Sequence, residues 1–191
     1  MGIRASTTAQ LVFQDCPVPN ENILGTFGAG FLVALTALDG GRASLSAGAV
    51  GGCELALETM IDRAREHPKL GSMQSVQWMI ADTAIDAHVS RLMSYESLEE
   101  VGVYFDRLSR GEKIPRADRE TISRHTAMAK AFCSEAATRS IERAIQVMGA
   151  DGYVEGNGLE RGYRDSVIAE IYEGTNDIQR LVIARDLIGT A

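Results

Sequence analysis

The pattern of apolar and polar residues changes character near Gly25. Before it, residues 7–13 mix β-forming and polar residues and are followed by Pro17 and Pro19, which predicts one edge strand and then an extended connector. Gly25, Gly28 and Gly30 punctuate the boundary. Beyond it the spacing is helical. A first helix is predicted over about residues 30–67, with Phe31, Leu35, Leu38, Leu45, Leu55 and Ile61 at approximately helical offsets and Pro68 as its stop. A second runs over about residues 73–109, with Val76, Ile80, Ala87 and Leu98 on one side, and a polar turn containing Pro115 follows. A third covers about residues 119–148, where Ile122, His125, Ala129, Phe132, Ala136 and Ala144 recur in helical steps until Gly149. A shorter helix near residues 159–171, a break at Glu173 and Gly174, and a final helix over residues 176–188 with Thr175 as N-cap complete the chain. Three long helices and a shorter pair predict an all-α helical bundle, preceded by a short strand or extended segment.

Five glycines, Gly40, Gly41, Gly48, Gly51 and Gly52, lie inside the first predicted helix. Each costs about 1 kcal/mol relative to alanine on an exposed helix, so these positions point to close approach by another helix or a ligand. Composition then narrows the class. Hydrophobic residues make up 45% and charged residues 24% of the 191 positions, enough to build a core. The net charge of -7 argues against nucleic acid as the main partner, because binding a polyanion requires basic patches. No apolar run is long enough to span a membrane. Cys16, Cys53 and Cys133 are few and widely separated, which predicts reduced thiols and a cytoplasmic location. Residues 1–6 also fit the N-myristoylation pattern, a short motif easily met by chance.

Several chemistries are excluded by missing motifs. The sequence has no Glu-x-x-His for a di-iron bundle and no His-Glu-x-x-His or Cys-x-x-Cys for zinc. It has no Gly-x-Ser-x-Gly elbow, and no predicted strand precedes the glycines at 48–52, as a dinucleotide fingerprint requires. His67, His88 and His125 are far apart and read as surface or packing residues. The break between the last two helices is different. It places the Glu173 carboxylate beside a glycine that permits close ligand approach and before the free amides of the next helix. Such a carboxylate could remove a proton next to a carbonyl whose oxygen the amides hold. The spacing alone leaves open an interhelix turn with a solvated glutamate.

Tyr172, Glu173, Gly174 and Thr175, followed by Ile178, Gln179 and Arg180, resemble the signature near the C-terminus of the acyl-CoA dehydrogenases. The likeness extends along the chain. Residues 2–6 with Val12, Phe13, Val18 and Pro19 resemble the end of that family's middle β domain. Residues 28–31 and 38–42 resemble the start of its first C-terminal helix, and residues 77–82 its second. Residues 146–149 with Gly152 and Tyr153 resemble the turn after its third helix, and Glu160, Arg161, Arg164 and Asp165 the stretch before the base. The resemblance implies two units: residues 1–25 as the end of the β domain and connector, and residues 26–191 as the C-terminal bundle. It also implies FAD-dependent oxidation of an acyl-CoA thioester to the trans-2-enoyl-CoA, with electrons passing to electron-transferring flavoprotein. Glu173 is then the base, Gly174 and Tyr172 line the substrate site, and Asp39 and Arg42 contact the CoA portion. The other reading of Asp39 and Arg42 is a helix-surface ion pair. Some relatives carry the base just before the matched arginine, a position that here is Gly41. For FAD, Thr175 and Asp177 match contacts of one subunit, while Arg63, Gln74, Gln146 and Gly149 match residues that reach it across a dimer interface. This implies a homodimer, a homotetramer or a heteromer with a complementary subunit. Two departures stand out: Glu66 and His67 replace the family's Phe-Gly, and Ala150 replaces a glycine. The family's N-terminal helical domain and most of its β domain are absent from this sequence. The resemblance therefore implies a chain that is incomplete alone, or a non-catalytic assembly subunit built on the same bundle.

Overall fold

A computed structural model describes residues 1–190. It contains α1 (Gly30–Glu66), α2 (Pro68–Gly71), α3 (Gln74–Ser109), α4 (Arg116–Met148), α5 (Ala150–Tyr153), α6 (Leu159–Ser166) and α7 (Asn176–Ile188), with short 3-10 turns at Asn20–Asn22 and Val167–Glu170. The expected helices form, with two adjustments. Pro115 is the N-cap of α4, so that helix begins three residues earlier than its apolar pattern indicates, because proline at the cap removes no helical hydrogen bond. The segment expected as one helix over residues 159–171 tightens after Ser166 into the 3-10 turn that delivers Glu173.

The helices α1, α3 and α4 make the bundle. Met60 and Val76 share one core cluster with Val147, while Cys53 and Ala87 share another with Ala137. Helix α3 therefore runs antiparallel to α1, and α4 runs parallel to it. The buried stripe of α1 is not the expected row of large side chains. It consists of Ala43, Ser46, Ala49, Val50, Cys53, Ala56 and Met60, whereas Phe31 is 79% and Leu55 62% exposed. The facing surfaces of α3 and α4 are equally small, with Ser90, Ser94, Ser97, Ala127, Cys133 and Ala137 buried. Small side chains let helix backbones approach closely around Cys53 and Cys133, while Met60, Val76, Ile141 and Val147 form a cluster of larger apolar groups toward the other end of the bundle. Of the large apolar residues of α1, Met60 is buried, whereas Phe31, Leu32 and Leu55 point outward.

One charged cluster stitches the bundle. Arg139 donates from Nε and Nη2 to the two oxygens of Asp86 at 2.8 and 2.6 Å, and Arg143 Nη1 donates to Oδ2 at 2.7 Å. Burial pushes the Asp86 carboxyl upward, but the hydrogen bonds and charges of the two arginines outweigh it and hold the group below its ordinary range.

The edge strand expected over residues 7–13 does not form, and no strand occurs among the described residues. A single extended segment has no ladder partner for its amides and carbonyls. Instead the chain's start docks on α6, where Ile3 N donates to Asp165 Oδ1 at 2.5 Å. A Cβ at Gly2 would lie 2.1 Å from the Arg164 carbonyl oxygen, so this contact accounts for the glycine. The cysteines Cys16, Cys53 and Cys133 are all free, and no described helix is long and apolar enough to cross a membrane.

Candidate active site

The turn between the Val167–Glu170 segment and α7 is held in an unusual conformation. Glu173 has φ +57°, and Gly174 follows at φ +89°. A left-handed backbone at a glutamate costs about 1–3 kcal/mol and persists only where its surroundings over-determine it. Those surroundings are three buried side chains from three helices. Arg42 Nε from α1 donates to the Glu173 carbonyl at 3.2 Å. Gln179 Nε2 from α7 donates to the carbonyls of Glu173 and Gly174 at 3.1 and 2.9 Å. Lys130 Nζ from α4 donates to the Gly174 carbonyl at 2.9 Å and to Asn176 Oδ1 at 2.7 Å. Asn176 is itself held by Ser134 Oγ, to which its Nδ2 donates at 3.0 Å. Gly174 is the residue this arrangement demands, since a Cβ there would sit 2.6 Å from Gln179 Nε2. Thr175 caps α7 as expected, its Oγ1 accepting from the Ile178 amide at 3.3 Å.

Three carbonyl anchors leave the Glu173 side chain directed at α1. Its Oε2 is buried without a hydrogen-bond partner. A Cβ on Gly41 would lie 2.5 Å from that oxygen, so only glycine leaves room for the carboxylate. Glu173, Tyr172 and Gly41 stand together on a cavity of about 580 Å3 that follows the α1 face through Leu45, Gly48 and Gly52 to Leu159 and Gly162 of α6. Its size suits a small-molecule site, and its walls are mainly apolar or small. An unpartnered carboxylate on an apolar groove is the arrangement expected of a general base waiting for a substrate proton.

Asp39 and Arg42 form an ion pair at 2.9 Å, yet it is not a surface pair. Arg42 is 6% exposed, and Asp39 Oδ1 also accepts from Ser123 Oγ at 3.2 Å and Thr126 Oγ1 at 3.3 Å. Burial raises the Asp39 pKa despite these partners and the Arg42 charge. In this structure both residues brace the Glu173 turn from α1. The arginine's direct contact is with the turn's backbone.

The residues matched to FAD fall into two groups. Thr175 and Asp177 start α7, beside Lys130 and the Glu173 turn. Arg63 and the 146–149 turn lie at the other end of the bundle, where Arg63 Nη2 donates to Asp151 Oδ2 at 2.9 Å. Arg42 and Arg63 are separated by 21 helical residues, about 30 Å at 1.5 Å per residue, so one chain does not bring the two groups together. Within the second group, Arg63 Nε is buried and unpartnered, a donor fitted to a phosphate oxygen. Gly149 has φ +64°, and Gln146 lines a cavity of about 910 Å3 with Tyr153 and Tyr163. Gln74 is the exposed first residue of α3. Glu66 and His67 are exposed at the end of α1, so neither fills the place of an aromatic contact. Arg63 thus offers a buried donor suited to a phosphate oxygen, whereas the cavity at Gln146 is also lined by Glu142, Glu155 and Glu160. Elsewhere, His125 Nδ1 pairs with Glu100 at 2.8 Å, and Glu96 lies close enough for the three side chains to share an ion.

Lys130, Asn176 and Gln179 brace the Glu173 turn, and the sequence pattern assigns them no role. The available signal is a lone lysine within the alanine-rich stretch of α4, and periodicity alone does not separate it from a solvated charge.

Residues 28–188 match the family model described as acyl-CoA dehydrogenase, C-terminal domain. The chain is 38% identical over 192 aligned residues to the mitochondrial short-chain specific acyl-CoA dehydrogenase of Rattus norvegicus, with 98% of this chain and 43% of the relative covered. It is 37% identical to the acryloyl-CoA reductase (NADH) of Anaerotignum propionicum, covering 98% of this chain and 45% of that protein. The butyryl-CoA dehydrogenase of Megasphaera elsdenii superimposes with a TM-score of 0.77 at 32% identity, covering 93% of this chain and 43% of that one. The chain thus spans less than half the length of these relatives.

Proposed function

The chain belongs to the acyl-CoA dehydrogenase family, through its C-terminal domain, and we propose that it supplies the catalytic base and part of the flavin contacts of an FAD-dependent acyl-CoA dehydrogenase. The observation that carries this reading is the Glu173 carboxylate. It stands on the groove with one oxygen buried and unpartnered, on a turn whose backbone is held from three helices. In the proposed reaction Glu173 takes a proton from the α-carbon of an acyl-CoA thioester. Bound FAD, which Thr175 and Asp177 would help to hold, would supply the acceptor for the hydride of the β-carbon, and the product would be the trans-2-enoyl thioester. Tyr172 and Leu45 border the acyl chain, and the small faces of Gly48 and Gly52 give it room. Arg42 holds the turn and Asp39 holds Arg42, and both stand at positions matched to contacts with the CoA portion.

For FAD, Thr175 and Asp177 of one chain serve with Arg63, Gln74, Gln146 and Gly149 of a second copy, because a single chain separates the two sets. Dimeric or higher assembly is therefore part of the proposal, as is re-oxidation by electron-transferring flavoprotein. The N-terminal helical and β domains that the resemblance implies would complete a water-excluded site. A second reading, an assembly subunit with a silent flavin site, is favoured by the exposed Glu66 and His67 where the family has Phe-Gly.

The test is Glu173→Gln in the FAD-loaded enzyme containing this chain. We expect flavin reduction by butyryl-CoA to fall by about 10²–10⁴-fold with acyl-CoA binding retained. Near-normal reduction would remove Glu173 as base and leave the assembly reading.

A further inference from the structure

Lys130 is wholly buried in the middle of α4 and does not line the groove. Burying an ammonium is costly unless it is paired and hydrogen-bonded. Here it has two partners, both on the segment that carries the base: the Gly174 carbonyl at 2.9 Å and Asn176 Oδ1 at 2.7 Å. Gln179 also grips the turn, but it belongs to α7 and moves with the segment it holds. Lys130 instead ties that segment to a 33-residue helix at the centre of the bundle. Together with Arg42 from α1 it fixes the turn from two independent directions.

We propose that Lys130 is a positioning residue for proton abstraction: clamped between the Gly174 carbonyl and the Asn176 side chain, its ammonium sets the turn that aims the Glu173 carboxylate into the groove. The inference rests on the reading of Glu173 as base. The charges facing Lys130 are Arg42 from α1, Glu135 from α4, Glu170 from the 3-10 turn and Glu173 itself. Desolvation lowers its pKa to about 8, with Glu170 opposing the shift and Arg42 adding to it. At neutral pH the amine stays mostly charged, and its two hydrogen bonds are charge-assisted and strong. Methionine would match its length and remove both bonds. The Gly174 carbonyl would keep Gln179, whereas the link from α4 to the turn would be gone.

The experiment compares Lys130→Met in two backgrounds of the FAD-loaded enzyme. In one the base is Glu173. In the other Glu173→Ala is combined with Gly41→Glu, so that the carboxylate comes from α1 and no longer depends on the turn's aim. With Glu173 as base, we expect Lys130→Met to lower the limiting rate of flavin reduction by butyryl-CoA by about 10–100-fold, the range for a misplaced reacting group, with half-saturation changed less than about threefold. With the base at 41 the loss should be under about threefold. Hydrogen exchange on the 191-residue chain adds a readout independent of flavin: amides of residues 173–176 should exchange about tenfold faster in Lys130→Met while those of α1 do not. Equal losses in both backgrounds, an unchanged rate with Glu173 as base, or unchanged exchange in the turn would each overturn the proposal. If Lys130→Met does not fold, Lys130→Gln carries the same comparison, and failure of both to fold makes Lys130 a stability residue and ends the proposal. Loss of the base reading is detected separately, by persistent flavin reduction in Glu173→Gln with Lys130 intact.

Discussion

Gly41 leaves the space that the Glu173 carboxylate fills: a Cβ on residue 41 would come within 2.5 Å of Glu173 Oε2. Two positions more than 130 residues apart in the chain thus share one volume, and one of them must be without a side chain. Adding a methyl group at 41 forces the carboxylate to another rotamer or the turn away from α1. We expect Gly41→Ala to reduce flavin reduction by acyl-CoA by about 10–100-fold in the complete enzyme while the helical circular dichroism is preserved, because misplacing a reacting group by about 1 Å carries a cost of that order. Unimpaired reduction would show that the carboxylate acts from a position other than the one seen here.

The Asp86 cluster gives a pH-dependent stability. Asp86 titrates below its ordinary value in the folded chain, so the unfolded chain takes up a proton first as pH falls. Its contribution is therefore fully present above about pH 4, the unfolded carboxylate value, and is lost as the pH drops through the lower folded value. We expect Asp86→Asn to cost about 1–3 kcal/mol at pH 7, because it leaves Arg139 and Arg143 without their charged acceptor. The difference between wild type and variant should shrink below pH 4. Thermal melts of both chains across pH 2.5–7 test this, and a difference independent of pH would refute the assignment.

Helix α3 carries Trp78, Ile85 and Leu92 at seven-residue spacing, each more than half exposed. Such a stripe on a long helix fits packing against another helix. We expect the chain to self-associate through it, and Ile85→Glu with Leu92→Glu to yield a smaller species in sedimentation without loss of helicity. A wild-type chain that stays monomeric above micromolar concentration contradicts this.

The two sets of FAD-matched residues lie at opposite ends of the bundle, about 24–30 Å apart along α1 and α4, and this chain spans less than half the length of its relatives. The isolated chain is therefore expected to purify colourless and to gain no flavin absorbance from added FAD. Stoichiometric yellow protein from this chain alone would show that two copies of the bundle suffice for binding.

The sequence determined the long helices and the stops of α1 and α4, because helical spacing, Pro68 and Gly149 act within a few residues of themselves. It also placed Glu173 and Gly174 at a helix break, a local pattern that left a solvated turn open, and the resemblance to the family signature supplied the role of base. Its row of large apolar residues on α1 did not become the core. Burial depends on which face the other helices reach, and here Ala43, Ser46 and Cys53 permit closer packing than Phe31 or Leu55. Residues 7–13 stay extended without forming a strand, because a strand is defined by a partner that the local sequence does not contain. The tertiary structure alone decided that Arg42, Lys130 and Gln179 meet on two adjacent carbonyls. Those contacts join residues 42, 130 and 179 to one turn. No periodicity encodes them, since they arise only when α1, α4 and α7 are packed at fixed relative heights and burial leaves each polar group to find its partner there.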